Sequence, residues 1–427
     1  TALAQHNVGS TWFAGRDQFL HFVGSSNLNQ AVYHLYQLPS MQQQAGVDYL
    51  IYGTRWGLSI PFAQFLRLDP RNLILGQGLS IGVGLVALGL IMYSFTKIMN
   101  LRPMVSILLT IASISSSPFL FQAYNGGMAQ AWGLAGLGIL SLAYFLIIYF
   151  AATHQLNRDK QIALTVLMVM GWTSNAVTYI DSTMILAGAF ALTGIFLLFV
   201  AERIVAQKAL LITFMAGLIS AILVAPYCYA VLQTLSLRLK LAAGTGLIFN
   251  HWPLPSEILG VFNIWTQTDG KPRDGGIALV GVLLSAGIIW VAVKGITSKV
   301  KEEKIFSYLS IAILFICAGV ALWAKNTKLG SNYSYVKVST YLAPLFLMIV
   351  GYKLINIKKL NINAKRSSWS LSASYFAPIL YVVLILASTT STNSDMVKKA
   401  SYLIPKAQMA MLADKKAQAE LHDYNYL

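Results

Sequence analysis

The side chains with chemical reach in this chain are dispersed, and the first group stands in Gly15-Arg-Asp-Gln-Phe-Leu-His21. Here a carboxylate, Asp17, has a guanidinium beside it, Arg16, and an imidazole four positions on, His21. A positioned carboxylate can take a proton from a hydroxyl or hold a divalent metal. Its reading without chemistry is a surface acid paired with Arg16, since exposed ion pairs are common and weak. A second group comprises Ser115-Ser-Ser-Pro118, Gln122, Tyr124, Asn125 and Gln130, together with Trp172-Thr-Ser-Asn175, Tyr179 and Asp181. Asp181 is the acid nearest to a long apolar run, where an ionisable residue is costly and a functional role is the default; the alternative is a loop acid in water. Asn125, Asn175, Tyr179 and His21 are the polar side chains suited to line a cavity for an acceptor. The third group is cationic: Lys271, Arg273, Lys325, Lys328 and Lys337, the last preceded by Asn332-Tyr-Ser-Tyr335. Such cations suit a phosphate or pyrophosphate, with Arg offering two parallel bonds. Anionic headgroup binding without turnover fits the charge equally well.

Known soluble-enzyme signatures are missing. The sequence has no phosphate-binding glycine loop, no His-Glu-x-x-His and no nucleophile elbow. Gly126-Gly127 and Gly275-Gly276 read as turns or helix-packing points. Cys228 and Cys317 lie inside apolar runs and make neither a disulfide framework nor a metal site, so no metal ligands are assigned.

The elements that must position these groups follow from composition. Of 427 residues 56% are hydrophobic and 11% charged, against about 25% charged in soluble domains. A water-soluble globule is excluded. The net charge of +16 suggests nucleic acid until its carriers are located between apolar runs, without basic stripes or interleaved aromatics. A bilayer core of about 30 Å needs roughly 20 apolar residues per helix. Ten stretches qualify, at about 72–97, 103–121, 132–153, 161–178, 182–201, 207–233, 276–296, 304–324, 337–358 and 371–390. The fourth and fifth, joined through residues 178–182, are the least distinct.

Lys and Arg accumulate in short cytoplasmic loops. Alternation places fifteen of them on one side: Lys97, Arg102, Arg158, Lys160, Arg203, Lys208, Lys294, Lys299, Lys301, Lys304, Lys353, Lys358, Lys359, Lys365 and Arg366. Three units follow, namely an extracytoplasmic first loop over 1–71, a transmembrane helical domain over 72–390 with an outer loop at 234–275, and an extracytoplasmic tail over 391–427. Eleven of the fifteen acids then face outside, so acid–base chemistry is expected there. Because residues 1–71 begin outside, a preceding helix is the economical expectation. Amphipathic stretches at 12–23, 55–68 and 400–411 read as helices lying in the interface or docked on the protein's own spans.

With these residues in place the chain resembles the multipass glycosyltransferases of the GT-C superfamily and uncharacterised bacterial membrane proteins similar to them. The likeness runs through Gly15–His21, Tyr52–Pro61, Ala225-Pro-Tyr227, His251–Gly260 and Tyr335–Pro344, and spans most of residues 15–355. Gln18 stands where the family's first loop carries a second acid. The resemblance implies an all-α polytopic fold in the bacterial cytoplasmic membrane, a polyprenyl-phosphate sugar donor, and a glycan, lipid or protein acceptor outside. It implies Asp17 as catalytic base, with Asp181 second, and Lys337, Arg273 and Lys271 holding the donor phosphate. Two other expectations stand beside it: a transporter or flippase for a lipid-linked substrate, and a non-catalytic subunit of a membrane assembly.

Overall fold

The computed structural model describes residues 73–101, 103–114, 128–225, 254–258, 275–326 and 332–360. Regular structure among them is entirely helical: α1 Leu73–Ile98, α2 Pro103–Ile114, α3 Met128–Ala152, α4 Arg158–Thr178, α5 Ile180–Val200, α6 Arg203–Leu223, α7 Pro255–Ile258, α8 Gly275–Val293, α9 Lys301–Asn326 and α10 Asn332–Leu360. The expected span at 371–390 and the three amphipathic stretches lie outside the described residues.

Five helical segments among the described residues are long and apolar enough to cross a membrane: Gly133–Ala152, Ser182–Val200, Arg203–Leu223, Lys301–Asn326 and Ser334–Lys353. Shorter apolar stretches lie at Gly82–Ile98 and Leu279–Val293. This is an integral membrane protein by the character of its surface as well, because Phe199, Phe214 and Phe315 stand exposed on α5, α6 and α9. Water would penalise such faces and hydrocarbon does not. The helix α4 is not among the five. Arg158, Asp159 and Lys160 at one end and Thr173, Ser174 and Asn175 at the other dilute its apolar character.

Local chemistry explains the breaks. Asn157 caps α4, its side-chain oxygen accepting the Lys160 amide at 3.0 Å, with Asp159 in the first turn where the helix dipole favours an acid. At the far end a single residue, Tyr179, separates α4 from α5. Its backbone leaves the helical region at φ −152°, ψ 77°; its amide donates to Asn175 O at 2.7 Å, and its carbonyl accepts the Ser182 hydroxyl at 2.7 Å. The fourth and fifth stretches are therefore two separate helices of 21 residues each.

The buried centre is α3. Tyr144 stacks on Phe190 of α5 at 4.2 Å between ring centroids and bonds Thr193 Oγ1 at 2.9 Å, while Trp172 of α4 meets the same Phe190 edge-on. The next residue, Phe145, faces another side of α3, where it stacks on Phe306 of α9 at 4.5 Å and meets Phe95 of α1 at 5.1 Å. Such pairs add about 0.5–1.5 kcal/mol each beyond the area they bury. Glycines bring α4 close: a Cβ on Gly171 would stand 2.8 Å from Leu140 Cγ.

The basic loops meet at one end of the bundle. Lys301, opening α9, pairs with Glu202 from the α5–α6 turn and lies 3.1 Å from His154 Nε2 beyond α3. Lys353, near the far end of α10, donates to the carbonyls of Ala292 and Lys294 at 2.5 and 2.8 Å and to Ser307 Oγ at 2.5 Å. In the turn after α8, Gly295 takes φ +109°, and a Cβ there would press on Ser307 Oγ at 3.1 Å. Elements far apart in sequence thus place their cations together, as alternation across a membrane requires. Single cysteines placed at Lys299 and Lys359, in a chain otherwise free of cysteine, should resist a membrane-impermeant thiol reagent in intact cells, and one at Lys271 should label. Reversed labelling would overturn the orientation.

Candidate functional site

At the end of the bundle opposite the basic loops, three residues from the second and third sequence groups come together. Tyr179, at the α4–α5 junction, is 1% exposed. Lys337, in the second turn of α10 and half-buried, holds its Nζ 5.6 Å from the Tyr179 ring centroid, within the range of a cation–π contact. Tyr341, one turn further along α10, meets Tyr179 edge-on at 5.8 Å. Asn175, one turn before Tyr179 on α4, is wholly buried.

The floor of this cluster is α3. A Cβ on Gly133 would stand 2.9 Å from Tyr179 Cβ and 3.4 Å from Asn175 Oδ1, and one on Gly136 would stand 3.3 Å from the Asn175 backbone. Two glycines three apart therefore let α4 lie flat on α3, so that Asn175 and Tyr179 are set by backbone packing. A larger residue at either position must move the α4 backbone.

The polar balance of the cluster is unusual. Among the described residues neither Nδ2 nor Oδ1 of Asn175 has a hydrogen-bond partner, and Trp172 Nε1 and Thr173 Oγ1, three and two positions earlier on α4, are in the same state. Each buried polar group without a partner costs about 1–3 kcal/mol. An amide with both ends unsaturated suits a hydroxyl, which donates and accepts at once. The Lys337 cation stands over the Tyr179 ring, one helical turn from that amide; a cation can attract an anionic group and an amide can bond a hydroxyl.

Asp17, His21, Asn125, Lys271 and Arg273 lie outside the described residues. Asp181 is the second residue of α5, two positions beyond Tyr179; its side chain lies outside the described part. Among the described residues no group of three His, Cys, Asp or Glu could hold a metal. Three participants, Tyr341, Gly133 and Gly136, escaped the sequence reading. Tyr341 had a signal, being four residues from Lys337 and so on the same helical face. Gly133 had one in its spacing to Gly136.

No protein-family model matches the chain, and neither a curated protein nor a solved structure is significantly similar to it.

Proposed function

We propose that the protein transfers a sugar from a polyprenyl-phosphate donor to a glycan, lipid or protein acceptor at the end of the bundle opposite its basic loops, the extracytoplasmic face of a bacterial cytoplasmic membrane. The observation that carries this reading is the convergence of Lys337, Tyr179 and Asn175, drawn from two distant helices, at one membrane boundary. Lys337 supplies the charge for a lipid phosphate, joined in this reading by Lys271 and Arg273 from the preceding loop. The Asn175 amide and the Tyr179 ring serve the sugar or the acceptor, aromatic faces and amides being the usual complement of a polyol. Asp17 is the base that accepts the proton of the attacking hydroxyl, and Asp181 is the second carboxylate at this end.

The test is donor binding by the purified full-length protein. Lys337→Ala should weaken a polyprenyl-phosphate glycosyl donor by about 1.5–3 kcal/mol, the worth of hydrogen bonds to a charged group, or roughly 10- to 150-fold in Kd. Lys337→Arg should restore most of it. Equal donor affinity in the Ala variant would discard the site while leaving the fold untouched. A carrier remains the second reading, favoured by one contact: Ser256 of α7 bonds Ser285 midway along α8, and polar contacts at depth are what transporters build. Movement of a labelled lipid across liposomes without sugar transfer would select it.

A further inference from the structure

The segment Leu254–Ile258 belongs to the long connection between α6 and α8, which the charge pattern alone leaves outside the membrane. Its position is deeper. The Ser256 hydroxyl donates to Gly281 O at 3.1 Å, and its amide donates to Ser285 Oγ at 3.1 Å. Ser256 and Ser285 are both buried. Beside them Pro255 closes a small pocket with Ile313, Leu314 and Cys317 of α9 and Tyr335, Ser339 and Phe346 of α10, lined also by Leu342 and Ala343.

Three helices gauge its depth from the cluster at the basic end, at about 1.5 Å per residue. Ser285 precedes Lys294 by nine positions, about 13 Å. Phe346 and Ala343 precede Lys353 by seven and ten, about 10–15 Å. Ile313 and Cys317 follow Glu303 by ten and fourteen, about 15–21 Å. The three rulers place the inner part of the pocket near the middle of a hydrocarbon layer about 30 Å thick, while Ser339 and Tyr335, fourteen and eighteen positions before Lys353, carry its lining on toward the opposite boundary. A helix of four residues leaves its end groups without partners of its own, and at depth it is tolerated only where protein covers it; here the Ser256 amide and hydroxyl are both bonded to α8.

The pocket also has its own side of α10. At 3.6 residues per turn, Tyr335, Ser339, Leu342 and Phe346 share one face, whereas Lys337 and Tyr341 lie on the opposite one. A lipid whose phosphate sits at Lys337 would have to pass round the helix to reach it. The free volume, about 50 Å³, exceeds the 10–15 Å³ or so that one water occupies and accommodates a few groups of that size. That is too little for a sugar and suits the end of a hydrocarbon chain, as does the almost wholly apolar lining.

We propose that the connection between α6 and α8 re-enters the membrane at Leu254–Ile258 and, with α9 and α10, forms a binding pocket for one acyl chain of a bilayer phospholipid, distinct from the Lys337 site. The chain wedges between Pro255 and the α9–α10 pair and holds the re-entrant turn at its depth.

The full-length protein is reconstituted with phosphatidylcholine carrying a diazirine near the end of one acyl chain, re-extracted and washed in detergent, and only then irradiated. Adducts should concentrate on residues 313–317 and 339–346, and should fall at least tenfold in Ser339→Phe and Ala343→Phe, which fill the space. Lys337→Ala should leave them unchanged. Adducts spread evenly over the exposed faces bearing Phe199 and Phe214, or none surviving the wash, would show ordinary lipid contact and overturn the proposal, and this map of the unaltered protein decides even where a filled variant does not fold. Displacement of the phospholipid by a polyprenyl-phosphate probe, or loss of adducts in Lys337→Ala, would make the pocket part of the donor site and also overturn it. Failure of donor binding at Lys337 with the adducts intact would sink the glycosyl-transfer reading alone.

Discussion

Lys353→Met is expected to destabilise the protein by about 1.5–3 kcal/mol, the worth of hydrogen bonds made by a buried charged group. The Lys353 side chain is 5% exposed, and its ammonium group is shared among three oxygens from two other elements. Two of these are carbonyls at the end of α8, which lack partners within their own helix. The third, Ser307 Oγ, itself donates to Glu303 O at 2.8 Å. Glu303 is likewise buried and accepts the Ser298 hydroxyl at 2.7 Å. Met keeps the bulk of the stem and removes the ammonium donors, so Ala292 O loses its charged donor and Lys294 O keeps only the Ser307 hydroxyl, at 3.1 Å, in a dry site. The readout is the unfolding midpoint of the detergent-solubilised protein, which should drop well below that of Lys337→Ala, a half-buried position whose loss exposes less. A midpoint equal to the parent's would mean that water replaces the ammonium group and that this cluster does not hold the basic end together.

How much of this was legible beforehand differs between the two ends. The helices from 73 to 223 and from 275 to 360 follow apolar runs, and no tertiary knowledge is needed to find them. The contact of Lys301 with Glu202 and His154 agrees with the alternation of the loops that carry them, which puts the three on one side. Lys353 counted there as one more topological charge, and nothing in the sequence said that it turns inward to cap α8. A side chain near a span end can reach water or a neighbouring helix terminus, and only the crossing of α8 and α10 decides between them. At the other end, Asn175, Tyr179 and Lys337 were visible as polar residues at span ends. Their convergence was not, because it depends on Gly133 and Gly136 admitting α4 to the surface of α3. The depth of Ser256 was hidden for a different reason. Leu-Pro-Ser-Glu-Ile is too short and too polar to register as a span, and its place is set by hydrogen bonds to residues on another helix.

The largest effect on turnover is expected at Asp17. Glycosyl transfer needs a proton removed from the acceptor hydroxyl as the new sugar bond forms, and a positioned carboxylate contributes about 10²- to 10⁴-fold to such a step. Asp17→Asn preserves shape and hydrogen bonding and deletes the basic oxygen, so the proposal requires normal membrane insertion, unchanged donor binding and a rate lowered by about that factor. This pattern separates it from Lys337→Ala, which acts on donor affinity. Asp181, two residues beyond Tyr179 in the first turn of α5, is the competing base. Parental transfer by Asp17→Asn with none by Asp181→Asn would move the base to α5 and keep the enzyme. The decisive arm measures surface glycans in cells carrying each variant beside transfer by the purified parent protein from lipid-linked sugars. If both variants leave the glycans unchanged and the parent transfers nothing, catalysis is to be abandoned; a protein then recovered from native membranes with fixed stoichiometric partners and no polyprenyl lipid would be a structural subunit of a membrane assembly.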